Sequence, residues 1–167
     1  RDKKKLEKFI AKAKPSIIFH LAAQPLIIES YLKPHKTIDV NVGGTLNILE
    51  ATKNFNFIRS IVLITSDKCY ENVGKLTRYK ENDELGGVDP YSASKSSSEL
   101  IIRAYRESFF KGKRHCGVSS ARAGNVIGGG DWSENRIIPD LFRAFKTNKN
   151  IFIRNPDQIR PWQYVLD

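Results

Sequence analysis

Apolar residues along this chain recur at two different spacings, and the change from one to the other predicts its elements. Leu6, Phe9, Ile10 and Ala13 fall at helical spacing and predict a helix over 3–13, with its lysines on the solvent side. The short apolar runs SIIFH at 16–20 and SIVLIT at 60–65 have the length and β-branched content of buried strands. Between them, Val42, Leu46 and Leu49 share one face of a helix near 38–54. Residues 66–88 are rich in Asn, Gly and charge, and connections of that length are usually functional or disordered. Asp89 is placed to cap a helix, Pro90 suits its first position, and the helix runs to about Phe110. A strand at 116–122, a Gly-rich loop, a helix near 135–147 and a short strand at 151–153 complete the pattern. Strands alternating with helices predict an α/β fold built on a doubly wound parallel sheet.

Composition narrows this picture. A chain of 167 residues with 40% hydrophobic content can bury a core without covalent staples. No apolar run approaches the roughly 20 residues that span a bilayer, and no signal-peptide pattern opens the chain, so a cytoplasmic setting without membrane contact is expected. Cys69 and Cys116 are too few for a disulfide framework and lack metal-site spacing, so both are read as reduced thiols and no metal is expected. The net charge of +10 raises the question of nucleic acid. Seven of the 28 basic residues lie in positions 1–14 against two acids, where they form a solvated helix face. No zinc-finger spacing, helix-turn-helix or aromatic RNA-binding motif accompanies them, and no nucleic-acid partner is expected. The chain has no Met, opens on Arg1-Asp2-Lys3 and stops after RPWQYVLD, and both ends read as cut from something longer.

The chemistry concentrates at the predicted strand ends, where ligands bind in sheets of this kind. Tyr91 and Lys95, four apart in YSASK, share one helical face, where the ammonium favours the phenolate form that acts as a base near neutral pH. Thr65, Ser66, Asp67 and Lys68 follow the second strand, and Ala123, Gly124 and Asn125 follow the third. Leu21, Ala22 and Ala23 follow the first, where small residues either admit a flat ligand to the backbone or simply turn the chain onto the next helix.

Six segments in order, HLAAQP, NVGGTLNILEA, TSDKCYEN, DPYSASK, ARAGNVIGGGDW and RIIPDLFRAF, followed by IRPWQYVLD, resemble the extended short-chain dehydrogenase/reductase family, the NAD-dependent sugar-nucleotide epimerases and dehydratases. The resemblance covers nearly the whole chain. It implies NAD as cofactor, residues 1–130 as part of a Rossmann-like NAD-binding domain, and residues 131–167 as the start of a sugar-nucleotide-binding portion. The family's Gly-rich pyrophosphate turn is absent, so the fragment is expected to lack the first βαβ unit and the end of the substrate domain. Leu21, Ala22, Ala23, Asn41, Thr65, Tyr91, Lys95 and Ala123 fall at cofactor positions, and Gln24, Asn125, Arg136 and Arg160 at substrate positions. Arg suits the diphosphate because its fork binds phosphate oxygens bidentately.

What the resemblance implies chemically is an internal redox cycle with loss of water, in which Tyr91 takes the proton of the sugar 4-hydroxyl and Lys95 steadies it. Ser66 is suited to the 4-hydroxyl and Asp67 to protonating the departing 6-hydroxyl. Lys68 stands where the thymidine-linked dehydratases carry Glu, which points to the cytidine-linked branch acting on a CDP-linked glucose. Lys68 is either the base at C5 or a charge that steadies the enolate. An epimerase would need no acid at position 67, and a non-catalytic NAD- or nucleic-acid-binding module is the third alternative. His20, His35 and His115 have no acid partner at useful spacing and are read as structural or exposed. Trp132 and Trp162 are read as packing residues, and Cys69 as a small buried side chain beside the site. The 90–110 helix carries Leu100, Ile101, Ala104 and Tyr105 on one stripe and Ile102, Phe109 and Phe110 elsewhere, so a second buried face is expected. The resemblance implies a homodimer in which this helix and the preceding one form a four-helix bundle.

Overall fold

A computed structural model describes residues 2–74, 78–112, 116–153 and 155–167; His115 lies outside them. The chain divides into two compact units, Arg1–Arg122 and Ala123–Asp167.

In the first unit, α1 spans Lys3–Ala13, as its apolar spacing predicts. Asp2 starts it by accepting the Lys5 amide on its side chain, and Lys14 ends it in the left-handed conformation at φ 45°. Strands β1 (Ile17–His20), β2 (Ser60–Ile64) and β3 (Gly117–Ala121) form a sheet in that order, all parallel. The register sets Ile18 beside Ile61 and Ile61 beside Val118. Parallel neighbours need crossover connections, and helices supply them. α1 packs on α4 (Gly44–Thr52), and α4 packs on α5 (Pro90–Tyr105).

The core gathers where β2 meets these helices. Ile61 and Leu63 of β2, Leu49 of α4 and Ile58 before β2 are fully buried, with Ile102, Phe110 and Val118 packed into the same cluster. Each such side chain contributes roughly 1.5–3 kcal/mol by leaving water.

Three local features depart from the expected elements. The helix predicted over 38–54 begins earlier, as α3 (Pro34–Ile38), because Pro34 occupies its first position; it passes through one wide π turn at Asp39–Gly43 before α4. A short helix, α2 (Ile27–Leu32), precedes it; six residues are too few to display a helical period in sequence. The 90–110 helix likewise changes to a π turn at Arg106–Phe110.

The second unit holds β4 (Asn125–Ile127), α6 (Ile137–Lys146) and β5 (Trp162–Tyr164). β4 and β5 pair in parallel, with Asn125 beside Trp162. Gly124 makes this possible: a Cβ there would stand 2.8 Å from Pro161 Cγ. The strand predicted at 151–153 does not form, because a strand exists only through a ladder and the partner of β4 comes from 162–164. Trp132 and Trp162 do not act as packing residues here, being 60% and 46% exposed.

Candidate active site

The carboxyl ends of β1, β2 and β3 lie on one edge of the sheet, and α5 delivers Tyr91 and Lys95 to the end of β2. Asp89 fixes where that helix starts: one carboxylate oxygen accepts the amides of Tyr91 and Ser92 at 3.0 Å each, and the other accepts the Ser92 hydroxyl at 2.6 Å. Gly87 lets the preceding loop approach this turn, with φ +135° and Ser92 Cβ 2.5 Å from where a side chain would begin. Tyr91 is 9% exposed and Lys95 6%. Lys95 Nζ donates to Ile64 O at 3.3 Å, on the last residue of β2, and lies 5.9 Å from the centre of the Tyr91 ring. Burial holds the Lys95 pKa below the usual lysine range, opposed by the charges of Cys69 and Glu99.

Past β2 the chain makes a tight turn. Ser66 Oγ accepts the Lys68 amide at 3.2 Å and donates to Asp67 Oδ1 at 3.1 Å, which holds Ser66, Asp67 and Lys68 in one turn of 3-10 helix ending at Cys69. Cys69 is fully buried, and burial pushes its thiol up to about 11. Its carbonyl accepts the Ser96 hydroxyl at 2.9 Å, which ties the turn to α5.

After β1, Leu21 and Ala22 are exposed and Ala23 is half-buried. Gln24 and Asn41 are buried and bonded to each other: Asn41 Oδ1 accepts the Gln24 amide at 2.8 Å, and Asn41 Nδ2 donates to Gln24 O at 3.1 Å and to Ser94 Oγ at 2.9 Å. The Gln24 side chain also donates to Leu26 O and Thr37 Oγ1 and accepts the Leu26 amide. These two amides therefore pin the loop after β1 to α3 and α5. His20 is half-buried; burial, then the charge of Lys95, lowers its pKa below the usual imidazole value.

Sequence reasoning passed over two residues here. Glu99, one turn beyond Lys95, is 5% exposed, and Arg122 donates to it at 2.9 Å. The spacing of Tyr91, Lys95 and Glu99, each four apart on one helical face, was the available signal.

In the second unit, β4 opens on Asn125, whose amide donates to Pro161 O at 3.0 Å, next to Arg160. Arg160 is half-buried and donates to Gln158 Oε1. Arg136 precedes α6 and pairs with Asp131 at 3.4 Å. Ala123 begins this unit and is half-buried. Among the described residues, no group of three or more His, Cys, Asp or Glu is placed to hold a metal ion, and no helix is long and apolar enough to cross a membrane.

Residues 1–167 match the model of the GDP-mannose 4,6 dehydratase family from end to end. The chain belongs to that family. It is 50% identical, over all of its length, to a CDP-glucose 4,6-dehydratase of Salmonella typhimurium, and it spans 48% of that protein. It is 30% identical over 99% of its length to a UDP-glucose 4-epimerase of Mycoplasma genitalium, of which it spans 52%. Among solved structures, a UDP-N-acetylglucosamine 4-epimerase of Methanobrevibacter ruminantium superposes with a TM-score of 0.83 at 25% identity, covering 99% of this chain and 52% of that one. A dTDP-glucose 4,6-dehydratase of Streptomyces venezuelae, solved with NAD, superposes with a TM-score of 0.84 at 21% identity, covering 98% and 48%. The parallel α/β fold and the family resemblance read from the sequence are borne out, and the chain spans about half the length of these relatives.

Proposed function

We propose that the protein to which this chain belongs removes water from CDP-glucose, giving the 4-keto-6-deoxy sugar nucleotide. The observation that carries this is the 50% identity with a CDP-glucose 4,6-dehydratase along the whole chain. Residues 1–130 then belong to the NAD-binding domain, and residues 131–167 begin the sugar-nucleotide portion.

NAD fits the residues present: of the three protons on the Lys95 ammonium, one is used on Ile64 O, which leaves donors for a ribose hydroxyl beside the Tyr91 ring. Lys95, Tyr91 and Thr65 would hold the nicotinamide side, and Ala22 and Ala23 are small enough to admit it. When bound, NAD supplies the acceptor for the hydride of sugar C4 and returns that hydride to C6.

Tyr91, as the phenolate, takes the proton of the 4-hydroxyl, and the Lys95 charge favours the phenolate form. With substrate bound, the Ser66 hydroxyl turns its one proton from Asp67 to the oxygen that becomes the C4 carbonyl. That carbonyl makes the C5 proton acidic. Asp67 in its protonated form gives its proton to the departing 6-hydroxyl, which leaves as water. Lys68, as the neutral amine, accepts the C5 proton, steadies the enolate as the resulting ammonium, and returns the proton to C5 when C6 is reduced. Asn125, Arg136 and Arg160 grip the diphosphate.

A homodimer pairs α4 and α5 with their copies. The supporting observation is that α5 buries Ile102, and the following turn Phe110, while Leu100 and Phe109 are 47% and 45% exposed. Sedimentation of the full-length protein as a monomer alone would end this part of the reading.

The test incubates the full-length protein and NAD with CDP-glucose, UDP-glucose and dTDP-glucose in parallel. The 4-keto-6-deoxy product is expected from CDP-glucose. No product from any of the three overturns the dehydratase reading, and interconversion at C4 without loss of water would identify an epimerase instead.

A further inference from the structure

Glu99 takes no part in the chemistry above, although an ionised carboxylate only 5% exposed persists only when it is well paired. Its partners come from the ends of β2 and β3, and through Arg122 it reaches a third segment. Thr65 Oγ1 donates to Oε1. Ser120 Oγ and Arg122 Nη2 each donate to Oε2 at 2.9 Å. The Arg122 guanidinium also lies 4.8 Å from the Tyr70 ring centre and donates to Glu81 O at 3.0 Å. One carboxylate thus joins the end of β2, the end of β3 and the long connection after Asp67.

We propose that Glu99 is a positioning residue of the candidate active site: its carboxylate holds the Thr65 end of β2, and with it Ser66 and Asp67, and it sets a negative charge one helical turn beyond Lys95 on the face that carries Tyr91. This rests on the roles given above to Tyr91 and Lys95.

The second half follows from what surrounds Lys95. Burial alone favours the neutral amine. The titratable groups facing this region are Tyr91 and Glu99 from α5, His20 from β1, Asp67 and Cys69 from the turn after β2, and Arg122 after β3. The Lys95 charge disfavours the imidazolium of His20, and Cys69, at about 11, is a neutral thiol at working pH. Two anionic groups act to keep Lys95 charged, the Cys69 thiolate and the Glu99 carboxylate. With the thiol protonated, Glu99 remains. Its own pKa stays below the usual value because the bonds from Arg122, Thr65 and Ser120 outweigh its burial.

The experiment uses the full-length protein carrying 13C at lysine Cε, with the Lys95 signal assigned by its loss in Lys95→Met. Glu99→Gln removes the charge and keeps the size, Glu99→Asp keeps the charge and shortens the reach, and the double variant Glu99→Gln with Arg122→Gln avoids stranding a buried guanidinium. In Glu99→Gln and in the double variant, the Lys95 titration midpoint should fall by about one pH unit, and the alkaline limb of kcat should move down with it. At pH 7.5, kcat should drop about tenfold with KM within about twofold. Glu99→Asp should retain the Lys95 titration and lose kcat through the Thr65 contact. An unchanged Lys95 titration in both charge-removing variants overturns the electrostatic role, and full kcat in Glu99→Asp overturns the positional one. Failure of both charge-removing variants to fold would reduce Glu99 to a stability determinant and end the proposal. A wild-type protein that turns over no nucleotide sugar would sink the proposed function, while the lysine titration would still decide the charge of Lys95.

Discussion

Asp67 and Lys68 are held by Ser66, whose single oxygen meets both the Asp67 carboxylate and the Lys68 amide. In the proposed reaction, an acid that hands a proton to a leaving hydroxyl needs a fixed direction more than a large driving force, and this turn holds Asp67 in one. Asp67→Asn keeps the size and the hydrogen bond but cannot give up a proton, so it should slow elimination by roughly two to four orders of magnitude. The first hydride transfer should survive. Single-turnover absorbance of reduced NAD in the full-length protein separates the two steps; equal loss of both would remove Asp67 from the proposed acid role. Ser66, Asp67 and Lys68 were legible as a group because they are contiguous and follow an apolar run. Glu99 was not, since in sequence it is one polar residue in a helix, and its importance arises from Thr65 and Arg122, both distant along the chain.

Among the elements, α5 shows how a local signal can position distant chemistry. Asp89 and Pro90 announce the helix start in sequence, and the structure begins the helix at Pro90 with the Asp89 carboxylate on two amides. The first of those amides belongs to Tyr91, so the cap also sets the origin of the turn that carries Tyr91 and Lys95. Asp89→Ala should cost about 1 kcal/mol in urea unfolding and reduce kcat more than KM, whereas Asp89→Asn, which can still accept at the cap, should recover most of the stability. Equal kcat in Asp89→Ala and the parent would show that Tyr91 is placed by packing alone. The boundaries of α1 were equally legible, because Asp2 and Lys14 act through neighbours a few residues away. β4 and β5 were not: each has three residues, and their pairing joins positions nearly forty apart that no local period reveals. The apolar run at 151–153 was locally as good a strand as 162–164, and only the partner distinguishes them.

For the molecule as a whole, acid should be the destabilising direction, for reasons that add. His20 has a folded pKa below the usual 6.5, from burial and then from Lys95, so the unfolded chain takes up its proton first and stability declines as pH falls below 6.5. Glu50, bonded by Lys53, Tyr105 and Lys3, is lowered to about 2, and Glu99 is lowered by Arg122, Thr65 and Ser120 against its burial. Both contribute stability that is fully present above 4.5 and is lost as pH drops through their folded values. The net charge of +10 grows more positive over the same range and adds self-repulsion. Urea midpoints should therefore fall gently between pH 7 and 5.5 and steeply below 4.5. His20→Gln should remove the gentle part, and Glu50→Gln should lower the midpoint at pH 7 while flattening the acid limb. A midpoint that stays level or rises on acidification to pH 4 would mean that these carboxylates gain nothing from their cationic neighbours.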